Sequence, residues 1–163
     1  MYTEMRSDNT AKAGRSQLPE MTSQQTFVFE SLARTKHSRK RLVVLVAEDQ
    51  LFTRKLLFTA LMGLCEVHVA ASGREAWQTF IEIYPDLALL DIDLQDISGH
   101  DLARRIKRAA PETFVAMVTA NNSVDDVEQA RGNRVDGFIV KPFNKAKIMQ
   151  CLEKCAQNKE ITR

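Results

Sequence analysis

Four charged groups in this chain follow short apolar runs. Glu48 and Asp49 end the first run, Asp91 ends a second, and Lys141 ends the last. Thr119 closes a further run, Phe114-Val115-Ala116-Met117-Val118. Brought to one place, three carboxylates repel strongly wherever water is scarce, so they call for a cation among them. An all-oxygen donor set suits Mg²⁺, with Mn²⁺ able to substitute. A carboxylate is ionised at neutral pH and can attack phosphorus without a general base. What remains is positioning and charge stabilisation, for which an ammonium group (Lys141) and a hydroxyl (Thr119) are suited. The chemistry these residues fit is metal-dependent phosphorylation of an aspartate. A lone strand-end Asp is ordinarily a cap or turn residue; the weight lies in several groups meeting on one rim.

The elements that would bring them together are legible as alternating patterns. Apolar runs at 42–47, 66–71, 86–91, 114–119 and 137–141 read as strands. Helical periods fall near 50–62, from Ser72 to about Ile83, from Gly99 to about Arg108, near 123–132 and from about 144 to 157. Leu56, Leu57, Ala60 and Leu61 form the inner stripe of the first of these, and Trp77 and Phe80 face inward on the second. Ser72 with Glu75 reads as a capping box, and Pro85 as a stop. Five β-α units with right-handed crossovers give an α/β fold: a five-stranded parallel sheet, flavodoxin-like in its order 2-1-3-4-5, with helices on both faces. In such a sheet the carboxyl ends of the strands form the ligand crevice.

Composition narrows the class. The chain has 163 residues, 44% of them hydrophobic, and a formal charge of +2, which gives no bulk attraction to nucleic acid. The charge is uneven: +4 over residues 1–41 and −2 over the remainder. No apolar run reaches the length of a membrane span or a signal-peptide core. Cys65, Cys151 and Cys155 lack zinc-ligand spacing and read as packed thiols in a reducing cytoplasm. The expected organisation is a polar, partly basic and flexible arm over 1–40, one domain over 41–158, and a tail over 159–163. Within the arm, Phe27-Val28-Phe29 with Leu32 reads as a helical turn able to dock, and the basic run Arg34 to Arg41 as a solvated linker.

Residues 42–157 resemble the receiver domain of two-component response regulators, in the manner of the chemotaxis receiver. The resemblance is carried by Val46-Ala47-Glu48-Asp49, Asp86-Leu87-Ala88-Leu89-Leu90-Asp91-Ile92, Gly99, Met117-Val118-Thr119-Ala120 and Phe138-Ile139-Val140-Lys141-Pro142-Phe143. It implies that Asp91 is the phosphoacceptor and that Asp49 binds Mg²⁺ directly. It implies too that Glu48 acts on the metal through water and that the backbone carbonyl of Asp93 is a further ligand. Lys141 and Thr119 would contact the phosphoryl group, and Thr119 with Phe138 would form the switch. Pro142 would follow a cis peptide bond. The implied partners are a sensor histidine kinase or a histidine phosphotransfer protein as donor, and a downstream protein target, with no direct DNA binding. Leu51 and Phe52 beside the acidic rim fit a docking patch for the donor, or one of them packs inward. Three positions depart from the pattern. Gln95 replaces a usual proline, which loosens the loop after Asp91. Arg134 replaces a glycine before strand five. Asp93 puts a carboxylate two residues beyond the acceptor.

The expected function is that of a single-domain response regulator, a signalling domain rather than an enzyme. Alternatives are a phosphorelay intermediate or phosphate sink, and a degenerate receiver used only for docking. An aspartyl-phosphate phosphatase would use the Asp91-Ile92-Asp93 pattern, but in that class the pattern follows the first strand. A flavodoxin would need Ser, Thr and Gly donors where Glu48-Asp49 would repel its phosphate. The basic side of the helix carrying Arg104, Arg105, Lys107 and Arg108 reads as a solvated face, and His68 and His100 receive no role.

Overall fold

The computed structural model describes residues 17–120 and 123–161. Five strands, β1 (Val43–Ala47), β2 (Glu66–Ala70), β3 (Leu87–Asp91), β4 (Phe114–Thr119) and β5 (Gly137–Val140), form one parallel sheet in the order β2-β1-β3-β4-β5. Six helices accompany them: α1 (Ser23–Thr35), α2 (Leu51–Leu61), α3 (Gly73–Ile83), α4 (Gly99–Ala109), α5 (Val124–Gly132) and α6 (Lys145–Ile161). The strand period of two divides the core. Val44, Val46, Leu87, Leu89, Ala116, Val118 and Ile139 face α2 and α6. Leu45, Ala47, Ala88, Leu90, Val115 and Met117 face α1, α3 and α4. The central strands are buried on both faces and therefore read as unbroken apolar runs. The edge strand β2 is only partly covered.

Over residues 17–41 the arm is ordered rather than flexible, and the docking turn expected at Phe27-Val28-Phe29 with Leu32 falls within α1. Thr22 and Gln25 form a capping box: Thr22 Oγ1 accepts from the Gln25 amide at 3.2 Å, and Gln25 Oε1 accepts from the Thr22 amide at 2.9 Å. The helix that follows packs on α3 through Phe29, 5% exposed, whose ring lies 5.3 Å from that of Phe80 and 4.4 Å from that of Tyr84. Ahead of it, the Pro19 carbonyl accepts from Trp77 Nε1 and from Arg105, both at 2.9 Å. The basic run is solvated only in part: Arg34, Lys40 and Arg41 are exposed, but Lys36 and Arg39 are not. Lys36 is buried against Glu112 at 3.1 Å, and Arg39 donates to the Tyr84 and Ile83 carbonyls at 2.8 Å, satisfying the C-terminal end of α3. The cations are thus used to close the end of a helix that Pro85 terminates.

Smaller corrections concern faces. Leu56 is 44% exposed, so the inner stripe of α2 is Leu57 and Leu61 with half-buried Ala60 beside them. The last helix continues to Ile161, and Lys159 pairs with buried Asp86 at 3.0 Å, so 159–161 are not a tail. On α4 the basic residues are largely engaged: Lys107 pairs with Asp136 at 2.5 Å, Arg105 stacks on Trp77 and meets Glu20 at 3.0 Å, and Arg104 meets Asp101 at 2.6 Å. Ser72 caps α3 as expected, but Glu75 reaches the Ala71 amide rather than that of Ser72. Arg134 does take the left-handed conformation, at φ 58°, that its glycine-like position requires.

Candidate functional site

The rim is built from the carboxyl ends of adjacent strands. β1 delivers Glu48 and Asp49, β3 delivers Asp91, and ladder pairing of Ala47 with Leu90 sets the two ends side by side. One carboxylate oxygen from each of Glu48, Asp49 and Asp91 lies within 4.8 Å of the others, the one such group of potential metal ligands among the described residues. Glu48 and Asp91 are buried and Asp49 is half-buried. Lys141 directly follows β5, and its amide donates to the Thr119 carbonyl at 2.7 Å. Its ammonium lies 2.8 Å from Glu48 Oε2 and 3.5 Å from Asp91 Oδ1. The contact with Oε2 is ionic and falls outside hydrogen-bond direction.

The electrostatics follow from this crowding. Burial pushes the Glu48 carboxyl up and the Asp91 charge adds to it, while the Lys141 ammonium and the Gln50 amide pull back without cancelling the rise. Burial alone would lower Lys141, but its contacts with Glu48 and Asp91 outweigh that and hold its pKa above the usual value. Three carboxylates face one lysine, which leaves two negative charges, the complement of a divalent cation. The donors are all oxygen, the kind Mg²⁺ takes. The residues therefore fit the metal the sequence implied.

Close approach of backbone fixes Asp91 from below. A Cβ on Gly99 would lie 2.1 Å from the Asp91 carbonyl oxygen, so α4 starts directly against the Asp91 peptide. The Ile92 amide donates to Val118 and the Gly99 amide to Ile92, closing the loop between them. Asp93 is exposed, and its amide donates to Asp91 Oδ1 at 3.3 Å. The Lys141-Pro142 bond is cis.

Thr119 and Phe138 lie on one face of the sheet. Thr119 is 2% exposed at the end of β4, and Phe138, on β5, pairs with Met117, which makes it the diagonal neighbour of Thr119. Phe138 is 38% exposed, so its ring is turned outward. Leu51 and Phe52 are both exposed, and Phe52 lines a cavity of about 340 Å³ with Leu56, Lys141, Pro142 and Phe143. Neither packs inward.

Arg54 is a site residue that sequence reasoning missed. It donates to the Glu48 and Asp49 carbonyls at 2.7 and 3.1 Å and ties the acidic turn to the first turn of α2. The available signal was its place one helical turn into α2, close behind the acid pair. Cys151 and Cys155, one turn apart on α6, are buried free thiols with no part in the rim.

A parallel 2-1-3-4-5 sheet carrying a carboxylate cluster and a lysine on its carboxyl rim defines a flavodoxin-like α/β protein equipped for a divalent cation. Comparison with known proteins narrows this class. The family model for the response regulator receiver domain matches residues 44–153, and the chain belongs to that family. It is 28% identical over 116 residues to the chemotaxis protein CheY of Thermotoga maritima, covering 70% of this chain and 97% of that protein. It is 30% identical over 77 residues to the luminescence regulatory protein LuxO of Vibrio campbellii, covering 47% of this chain. The chain spans only 17% of the length of that LuxO. Among solved structures, the signal receiver domain of a putative LuxO repressor from Vibrio parahaemolyticus superposes with a TM-score of 0.70 at 25% identity, over 75% of this chain and 95% of that one. Receiver domains are signalling domains of two-component systems. Among the described residues no helix is long and apolar enough to cross a membrane.

Proposed function

We propose that this receiver accepts a phosphoryl group on Asp91 from a phosphohistidine donor, in a Mg²⁺-dependent reaction, and signals through altered protein contacts. The observation that carries the reading is the meeting of Glu48, Asp49 and Asp91 with Lys141 on one rim. An Asp91 carboxylate oxygen attacks phosphorus, the nitrogen–phosphorus bond of the donor breaks, and the departing imidazole takes a proton. Mg²⁺ held by Asp49, Asp91 and the Asp93 carbonyl, with Glu48 acting through water, would screen the carboxylates and the incoming phosphoryl oxygens. Lys141 and the Thr119 hydroxyl take the charge that develops on those oxygens.

The same two residues transmit the signal. Thr119 is drawn toward the new phosphoryl group, vacating space that Phe138, its diagonal neighbour, turns in to fill. The face formed by α5, β5 and α6 then changes. The exposed pair Leu51 and Phe52 beside the rim fits the docking of a histidine kinase or a histidine phosphotransfer protein. The target is a protein, engaged from the α5-β5-α6 face, in a reducing cytoplasm.

Phosphoryl incorporation from a small phosphodonor tests the metal requirement. It should need Mg²⁺ or Mn²⁺, and Asp49→Ala should weaken metal binding more than Glu48→Ala. Metal-independent incorporation would refute the reading. Amide shifts over residues 119–145 on adding beryllofluoride test the switch; changes confined to the metal shell would instead favour a phosphorelay intermediate or sink.

A further inference from the structure

The loop from Ile92 to Ser98 carries the Asp93 carbonyl and the amide that touches Asp91, yet it lacks the proline that would stiffen it, having Gln95 instead. Its ends are fixed by β3 and by the start of α4. Its middle is held by buried Leu94 and Ile97 and by one polar side chain, Asp96. Asp96 Oδ1 accepts from the Gly73 amide and Oδ2 from the Arg74 amide, both at 2.8 Å. These are two of the four amides that the N-terminus of α3 cannot satisfy within the helix. Ser72 supplies its hydroxyl to a third, that of Glu75. The carboxylate thus completes the cap from another segment of the chain. The packing agrees. A Cβ on Gly73 would lie 2.3 Å from Ile97 Cγ1, so the loop seats directly on the first turn of α3. Ile97 is buried there. Burial would raise the Asp96 carboxyl, but the amides it accepts from outweigh this and hold its pKa below the usual range.

We propose that Asp96 is a positioning residue for the phosphorylation site: by clasping the N-terminus of α3 it holds the loop, and with it the Asp93 carbonyl and amide, at the spacing Asp91 and Asp49 require. The role rests on the function proposed above. The clasp does the stiffening that a proline would do elsewhere. It also ties the loop to the first turn of α3.

Mg²⁺ affinity, measured by calorimetry with the metal alone, tests this on four versions of the 163-residue chain. They are the wild type, Asp96→Ala, Asp96→Asn and, as a control for lost stability, Phe29→Ala, which loosens the same helix away from the site. Asp96→Ala should bind Mg²⁺ about tenfold more weakly, the lower end of what outer-shell partners contribute. Asp96→Asn keeps one acceptor and should fall between. Phe29→Ala should melt earlier yet bind Mg²⁺ as the wild type does. The Asp93 amide resonance should move in both Asp96 variants before metal is added. Wild-type affinity in Asp96→Ala and Asp96→Asn, or equal weakening in Phe29→Ala, would overturn the proposal. A wild type that binds no Mg²⁺ would overturn it together with the proposed function, which keeps the two failures distinct.

Discussion

Replacing Gly99 by alanine would drive a methyl group into the backbone of Asp91. The added Cβ would stand 2.1 Å from the Asp91 carbonyl oxygen, 2.8 Å from Ile92 Cα and 2.9 Å from the Asp91 carbonyl carbon. A carbon and a carbonyl oxygen sit comfortably no closer than about 3.3 Å, so a displacement of roughly 1 Å is forced. Every clashing atom is backbone, and no side chain can swing aside. Forced overpacking costs about 1–3 kcal/mol. Alanine gains about 0.4–1 kcal/mol through the unfolded chain. The clash wins, with a net loss of about 1 kcal/mol at the centres of the two ranges. The movement falls on Asp91 itself, where a 1 Å misplacement costs about 100-fold in rate. Gly132→Ala supplies the control, because nothing lies within 4 Å of its Cβ position. It should be neutral or stabilising by up to about 1 kcal/mol. Urea unfolding and the rate of phosphorylation by a small phosphodonor, read on both variants, decide the matter. A Gly99→Ala protein as stable and as quickly phosphorylated as the wild type would refute the reasoning.

Lys141→Ala should leave Asp91 able to accept a phosphoryl group but uncouple it from the α5-β5-α6 face; beryllofluoride-induced amide shifts at 124–140 matching those of the wild type would contradict this. Glu112 offers a pH test. Burial raises its carboxyl, but the Tyr84 hydroxyl and the Lys36 ammonium outweigh burial and hold it below its usual 4.5. A depressed carboxyl contributes stability above the unfolded value and loses it as pH falls through the folded one, so the gap in urea midpoint between wild type and Glu112→Gln should narrow on acidification. A constant gap from about pH 7 to about pH 3 would count against the pairing. Burial pushes the Cys151 thiol to about 11 and the Cys155 thiol to about 12. Alkylation near pH 8 should therefore be slow in the folded protein and fast in urea, as mass spectrometry would show; fast native labelling would refute their burial.

The sheet was legible because its central strands are buried on both faces and so appear as continuous apolar runs bounded by charge. β4 was read to the residue, Phe114–Thr119. The convergence of Glu48, Asp49, Asp91 and Lys141 followed from topology alone, since parallel strands put their carboxyl ends on one rim. The docked arm was less legible. Only Phe29 of α1 is fully buried, with Leu32 and Ala33 half-buried beside it, so the apolar stripe that periodicity detects is short. The Thr22-x-x-Gln25 cap ahead of Phe27 was the readable signal for it. Lys36, Arg39 and Lys107 read as solvated because charge runs usually are. Here they meet acids and carbonyls contributed by distant segments, which spacing along the chain does not reveal. Asp96 and Arg54 escaped for the same reason: each acts on backbone groups whose position only the fold supplies.

The central claim is that Asp91 is the phosphoacceptor of a metal-dependent site. Intact-mass measurement after incubation with a small phosphodonor and Mg²⁺, on the wild type and on Asp91→Asn, tests it most directly. The account predicts one added phosphoryl group on the wild type, labile to base, absent with a chelator and absent from Asp91→Asn. Equal incorporation into Asp91→Asn would contradict it.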